Sequence, residues 1–278
     1  MLRQRVITAL ILAGLLLAAI IYLDIPSLAL FFGVFVALGA WEWSGMAGWS
    51  ATLARLCYVA VLMIAMAALY VVCQLGDAPD AKQVQPFLGL ACLWWSIALL
   101  WLKSYPASGA LWGNRAMRSI MGILVLVPAW MAAVYLLSYP RGGLMVIALI
   151  AVVASADIGA YFSGKSLGKH KLAPKVSPGK TWEGFWGGIF SCLLLAVIVW
   201  RFLPTASDHI GLAAVITVFI TTALASVVGD LVVSMVKRES GVKDSGSLLP
   251  GHGGILDRLD SICGAAPVFA LGLILAGW

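Results

Sequence analysis

Asp157 and Asp230 are carboxylates set in otherwise apolar runs, where a charge is costly and usually tied to function. Ser226, Asp230, Ser234 and Lys237 are spaced by four, four and three positions, which puts them on one narrow helical face. At 1.5 Å per residue, Asp230 lies about 10 Å along that face from Lys237. Asp157, Tyr161 and Lys165 repeat the arrangement in the other run. The bland alternative for both acids is an interhelical hydrogen bond that glues a bundle. Asp257 and Asp260 stand three apart, on one side of a helical turn. Asp230, Asp257 and Asp260 could together hold a hard cation such as Mg2+, which takes few protein oxygens and completes its shell with water and phosphate.

The neighbours suit that phosphate. Lys237, Arg238, Lys243 and Arg258 supply cationic donors. Gly251, Gly253 and Gly254 permit close backbone approach and leave N–H groups free at a helix start. Residues 237–260 hold eight charged side chains in a chain that is 11% charged. An ordinary basic belt at a membrane surface accounts for any one of these bases. It does not account for the acids, the glycines and His252 together. In a second polar segment, 155–184, Lys165, Lys169, His170, Lys171, Lys175 and Lys180 are interleaved with glycine and proline, and Thr181 and Glu183 follow. Its GKT at 179–181 resembles the end of a nucleotide-binding P-loop. The match fails, because Pro174 stands where glycine is needed and no preceding β-strand is expected. His170, His209 and His252 lack zinc-ligand spacing, and no nucleophile elbow is present.

Membrane helices must position these groups. Hydrophobic residues make up 62% of the 278 positions and mean hydropathy is +1.01, more apolar surface than a water-soluble fold of this size can hide. A span needs about 20 apolar residues. Nine runs qualify: 6–23, 27–47, 53–75, 86–102, 119–138, 144–164, 182–203, 211–236 and 255–277, with 86–102 the shortest. They are too continuous for an outer-membrane barrel. The first follows MLRQR without a convincing cleavage site and reads as a retained span. The expected fold is therefore all-α and polytopic, with about nine transmembrane helices. Placing the N-terminus in the cytoplasm and the C-terminus outside puts fifteen of the eighteen Lys and Arg residues on the inner side. That bias suits an anionic leaflet and anionic ligands. Residues 1–140 read as a transmembrane scaffold, and 141–278 as a catalytic region with polar loops at 165–181 and 237–256. Glu42, between Trp41 and Trp43, reads as a snorkelling or hydrogen-bonded structural acid. The five cysteines read as small buried hydrophobes.

Residues 234–260 resemble the signature of the phosphatidate cytidylyltransferases (CDP-diacylglycerol synthases). The pattern starts at Ser234 and the basic pair Lys237 and Arg238, continues through Lys243, Asp244, Gly246, Leu249 and Pro250, and reaches His252, Gly253 and Gly254. It closes on Asp257, Arg258 and Asp260, with no departure in its 27 positions. Lys175, Ser177, Pro178, Gly179, Lys180, Thr181, Trp182 and Glu183 resemble the family's second marked region. The resemblance implies transfer of the cytidylyl group of CTP to phosphatidic acid with Mg2+, and leaves room for a second, monovalent cation. It implies a bacterial-type cytoplasmic membrane with the site facing the cytoplasm, and no nucleic-acid partner; homo-oligomerisation is left open. Asp230, Asp257 and Asp260 are expected at the metal. Asp230, Asp257, Lys237, Arg238, Lys243, Asp244, His252 and Arg258 are expected in catalysis. Ser234, Gly253, Gly254, Asp157, Lys165, Lys175, Ser177, Lys180, Thr181 and Glu183 are expected to hold substrate. The rivals are another CTP-dependent lipid transferase or kinase, a secondary transporter, and a structural membrane subunit. The transporter predicts inverted repeats, which the sequence lacks.

Overall fold

The computed structural model describes residues 2–76, 79–139, 141–202, 211–248 and 253–278, without the side chains of residues 2–6 and 9. His209, Leu249, Pro250, Gly251 and His252 lie outside the described residues. Each expected run corresponds to a helix: α1 (Leu2–Tyr22), α2 (Ile25–Met46), α3 (Thr52–Val72), α4 (Ala81–Lys103), α6 (Arg115–Leu137), α7 (Gly142–Leu167), α8 (Trp182–Phe202), α9 (Leu212–Glu239) and α10 (Leu256–Leu275), with a one-turn α5 (Gly109–Trp112) before α6. Among the described residues, eight of these are long and apolar enough to cross a membrane, while α1 contributes a shorter apolar stretch, Leu10–Tyr22. The architecture is all-α and polytopic.

Polar caps explain most differences at the ends. Helix α4 begins five residues before the apolar run, because Asp80 accepts a hydrogen bond from Lys82 N at 2.9 Å. Asn114 caps α6 in the same way through Met117 N at 2.9 Å. Helix α9 continues through Lys237 and Arg238, cations that suit the negative end of its dipole.

The polar segment between α7 and α8 is not the plain loop that the sequence suggests. Strands β1 (Lys171–Ala173) and β2 (Ser177–Thr181) form an antiparallel hairpin, pairing Lys171 with Thr181 and Ala173 with Ser177. A strand therefore does precede Pro174, contrary to expectation. The P-loop reading still fails, because Gly179, Lys180 and Thr181 lie in β2 and cannot wrap a phosphate as a loop would.

Two close helix pairs form the second half. Helices α7 and α8 meet where a Cβ on Gly188 would sit 2.6 Å from Ala156 O. Helices α9 and α10 meet where a Cβ on Gly229 would sit 2.5 Å from Asp260 O. Small residues at such crossings let backbones touch, and dispersion replaces the hydrophobic effect that a bilayer cannot supply. Helix α10 also packs on α4 and α6, so the halves divided at residue 140 share one core.

Candidate active site

The ends of α2, α6 and α9 converge. Trp43 Nε1 donates to Arg118 O at 2.7 Å, Arg118 Nη1 to Met46 O at 3.0 Å, and Ser240 Oγ to Met46 O at 2.8 Å. The polar residues singled out from sequence gather at this end of the bundle.

Along α9 and α10, ionisable groups form a chain. Lys180 Nζ is 2.6 Å from Asp230 Oδ2, and Ser234 Oγ donates to Asp230 Oδ1 at 3.1 Å. Lys237, only 7% exposed, places Nζ 2.9 Å from Asp257 Oδ1 and 3.8 Å from Asp260 Oδ2. The predicted face of Asp230, Ser234 and Lys237 is therefore real, and it points at the first turns of α10. Asp230 lies within Coulombic reach of Asp157 and of Asp260. The sequence of charges runs Lys180, Asp230, Asp260, Lys237, Asp257. Signs alternate at every step except between Asp230 and Asp260.

The three carboxylates expected at a metal are not equivalent. Asp257 accepts from Lys237, from Ser245 N (3.2 and 3.1 Å) and from Gly254 N (2.9 Å). Lys237 and two backbone N–H groups thus hold it, and it organises the segment before α10. Among the described residues no group of three or more His, Cys, Asp or Glu side chains is drawn together as a ligand set. Asp230, held by Ser234 and Lys180, and Asp260, which accepts from Ser261 N at 2.8 Å, are partnered as well, but they carry like charge with cations on their outer flanks. Two carboxylates flanked by lysines have the donor chemistry that suits Mg2+, which is commonly held by one or two carboxylates and substrate phosphates.

The hairpin lies against α9. Arg238 Nε donates to Val176 O at 3.1 Å, anchoring the turn that carries Lys175 and Ser177, while Lys180 reaches Asp230 from the second strand. Thr181 Oγ1 accepts from Gly184 N at 3.1 Å, capping α8. Glu183 accepts from His170 N at 3.2 Å and contacts its Nδ1 at 2.7 Å, closing the base of the hairpin. Between hairpin, α7, α8 and α9 opens a cavity of about 360 Å3, lined by Asp157, Tyr161, Lys165, Lys180, Thr181 and Phe185 among others. Lys243, Asp244 and Arg258 are exposed.

Glu42 is the residue whose importance the sequence concealed. It is 3% exposed and accepts from Ser245 Oγ (2.8 Å), Ile255 N (3.0 Å) and Leu256 N (2.9 Å). Two of these are backbone N–H groups at the start of α10, which have no partner within the helix. The expected hydrogen-bonded structural acid is borne out, but its partners lie more than two hundred positions away. Its carboxylate also explains glycines in the signature. A Cβ on Gly246 would sit 2.5 Å from Glu42 Oε1, and one on Gly254 would collide with both carboxylate oxygens. The expected free N–H of Gly254 is taken by Asp257. Gly253 adopts φ +86°, a left-handed conformation that turns the chain into α10.

A multi-span apolar helical bundle with paired acidic and basic side chains gathered at one end defines a polytopic integral membrane protein. Over residues 3–275 the chain matches the profile of the Cytidylyltransferase family, to which it belongs as an enzyme. It is 46% identical over 281 residues to a phosphatidate cytidylyltransferase of Pseudomonas aeruginosa, covering 100% of this chain and 99% of that protein. A phosphatidate cytidylyltransferase of Haemophilus influenzae is 39% identical over 283 residues, covering 97% and 98% of the two chains. One from Rickettsia bellii is 38% identical over 198 residues, covering 64% of this chain and 85% of that one.

Proposed function

We propose that this enzyme transfers the cytidylyl group of CTP to phosphatidic acid, releasing pyrophosphate and forming CDP-diacylglycerol, at the cytoplasmic face of a bacterial inner membrane. The observation that carries the reading is the Asp230–Asp260 junction, flanked by Lys180 and Lys237. Two carboxylates within Coulombic reach of each other, with cations on either side, suit a divalent cation and the polyanion that accompanies it. The names of the relatives support the choice of lipid.

The lipid phosphate is already anionic at neutral pH and needs no general base. One of its oxygens forms a bond to the α-phosphorus of CTP as the bond from that phosphorus to the bridging oxygen of pyrophosphate breaks. Two anions must meet, so the main task of the site is charge neutralisation by groups already in place. Asp230 and Asp260 would hold Mg2+, which when bound offsets phosphate charge. Asp257 holds Lys237 and the loop before α10 in position. Lys165, Lys175, Ser177, Lys180 and Thr181 line the approach for the triphosphate, with Asp157 at its inner wall. Arg238 fixes the hairpin that carries four of them. Residues 141–278 act as the catalytic region, and 1–140 as the scaffold that contributes Glu42 to it.

The test uses purified protein with CTP radiolabelled at the α-phosphate, phosphatidic acid and Mg2+. Label in extracted lipid, dependent on both additions, is expected. No labelled lipid, or lipid labelled only from γ-labelled CTP, would replace the reading with another class or with a kinase.

A further inference from the structure

Two lysines belong to the chain of charges along α9 and α10, and they are held differently. Lys237 is closed in: its side chain and that of Asp257 are 9% and 7% exposed, and Asp260 Oδ2 lies 3.8 Å from its ammonium. Lys180 stands at the outer end. Its ammonium is 2.6 Å from Asp230 Oδ2, with side-chain exposures of 28% and 26%. It also lies within Coulombic reach of Asp157 and Asp260. One ammonium thus serves three carboxylates, among them the two assigned to a cation. Lys180 also lines the cavity of about 360 Å3 between the hairpin, α7, α8 and α9, as does Lys165. The backbone around Lys180 is anchored: Arg238 holds Val176 O, and Thr181 Oγ1 accepts from Gly184 N. A move of Nζ from Asp230 into the cavity therefore asks only for a rotamer change, a fast motion in a partly exposed side chain.

We infer that Lys180 is a displaceable counter-ion: it neutralises Asp230 until a divalent cation takes that carboxylate, and it then passes to the triphosphate of the nucleotide. The inference rests on the proposed function for the identity of the anion and for Asp230 as a cation ligand. A divalent cation on Asp230 would stand within a few ångströms of an ammonium on the same carboxylate, and like charges at that range repel. Lys180 is the partner that leaves, because a partly exposed ion pair is weak. Breaking the buried contacts of Lys237 would instead strand a charge. Lysine suits such an exchange. It is a compact point charge on a flexible four-carbon stem, and it binds phosphate without a fixed fork. While Lys180 neutralises Asp230 it is withheld from anions. A triphosphate that arrives with its cation therefore meets one more positive charge than free phosphate or pyrophosphate does. Cation and nucleotide binding are coupled through this one side chain, and such coupling is reciprocal.

The test uses the full-length protein in detergent, without lipid acceptor. Mn2+ is the probe cation, followed through the electron paramagnetic resonance signal of the free ion. Lys180→Met removes the competitor and should bind Mn2+ about fivefold more tightly than the native protein, the order of one partly exposed ion pair. Lys165→Met, which removes a cation of the same cavity whose Nζ lies 5.7 Å from the Tyr161 ring centroid, should change that affinity far less. In the native protein, brief acylation of lysine amines is read by mass spectrometry. Mg2+ alone should increase the labelling of Lys180, and CTP added with Mg2+ should protect it. Unchanged or weaker Mn2+ binding in Lys180→Met, at a native unfolding midpoint, would make the Lys180–Asp230 pair a fixed structural contact. Labelling that ignores Mg2+ would leave Lys180 in place; either result overturns the inference. The labelling arm needs no variant and decides the matter if Lys180→Met does not fold. Mn2+ bound by none of the proteins would overturn the inference together with the cation site. Neither arm needs turnover, so the expected pattern from a protein that transfers no nucleotide would overturn the catalytic reading alone.

Discussion

Glu42 and Lys237 each hold the start of α10 in place through buried polar contacts. Removing the Glu42 carboxylate strands Ser245 Oγ and two backbone N–H groups, and each unsatisfied buried group costs about 1–3 kcal/mol. Glu42→Ala is expected to lower the thermal unfolding midpoint in detergent and to depress turnover, with the KM for CTP changed less than kcat. A midpoint equal to that of the native protein would show that α10 does not depend on this cap. Lys237 is buried between two carboxylates, and removing one member of such a group typically costs about 3–5 kcal/mol. Lys237→Met is expected to be less stable than Arg238→Met, whose partner is a hairpin carbonyl; comparing the two unfolding midpoints checks the order. The role of Lys237 was half legible. Its spacing from Asp230 and Ser234 is visible in the sequence, but its attachment to Asp257 depends on how two helices cross. Glu42 was legible only as an acid in the wrong place, because its partners are distant in sequence.

The elements set the distances between charges. Gly229 and Gly264 let α9 and α10 approach until Asp230 and Asp260 sense each other, and a Cβ at Gly229 would meet the Asp260 carbonyl. Gly229→Val is expected to cost about 1–3 kcal/mol through overpacking and to raise the Mg2+ concentration needed for half-maximal activity. An unchanged Mg2+ requirement in a folded variant would show that the helix spacing does not set the metal site. The β-hairpin supplies Lys180 from the opposite side. Lys180→Met should raise the KM for CTP more than that for lipid, as steady-state kinetics will show. The hairpin escaped sequence reading because its strands have three and five residues, too short for a clear period-two pattern, and Pro174 and Gly179 suggest only a loop. The helices were legible because twenty apolar residues in a row have few alternatives.

Across the whole molecule, charge asymmetry and geometry agree. The segments that carry most of the basic residues meet at one end of the bundle, joined by contacts among Trp43, Met46, Arg118 and Ser240. In a background with the native cysteines replaced, a cysteine at Lys169 should react with a membrane-impermeant maleimide in inverted vesicles and not in intact spheroplasts. The reverse pattern would turn the protein over and place the site outside. The central claim is that Asp230 and Asp260 form the cation-binding heart of a nucleotidyl transferase. Its most direct test is transfer of α-labelled phosphate from CTP to lipid across a Mg2+ titration, comparing the native protein with folded Asp230→Asn and Asp260→Asn. The account predicts Mg2+-dependent labelling by the native protein and a loss in both variants that added Mg2+ only partly restores. Normal labelling with an unchanged Mg2+ dependence in either variant would contradict it.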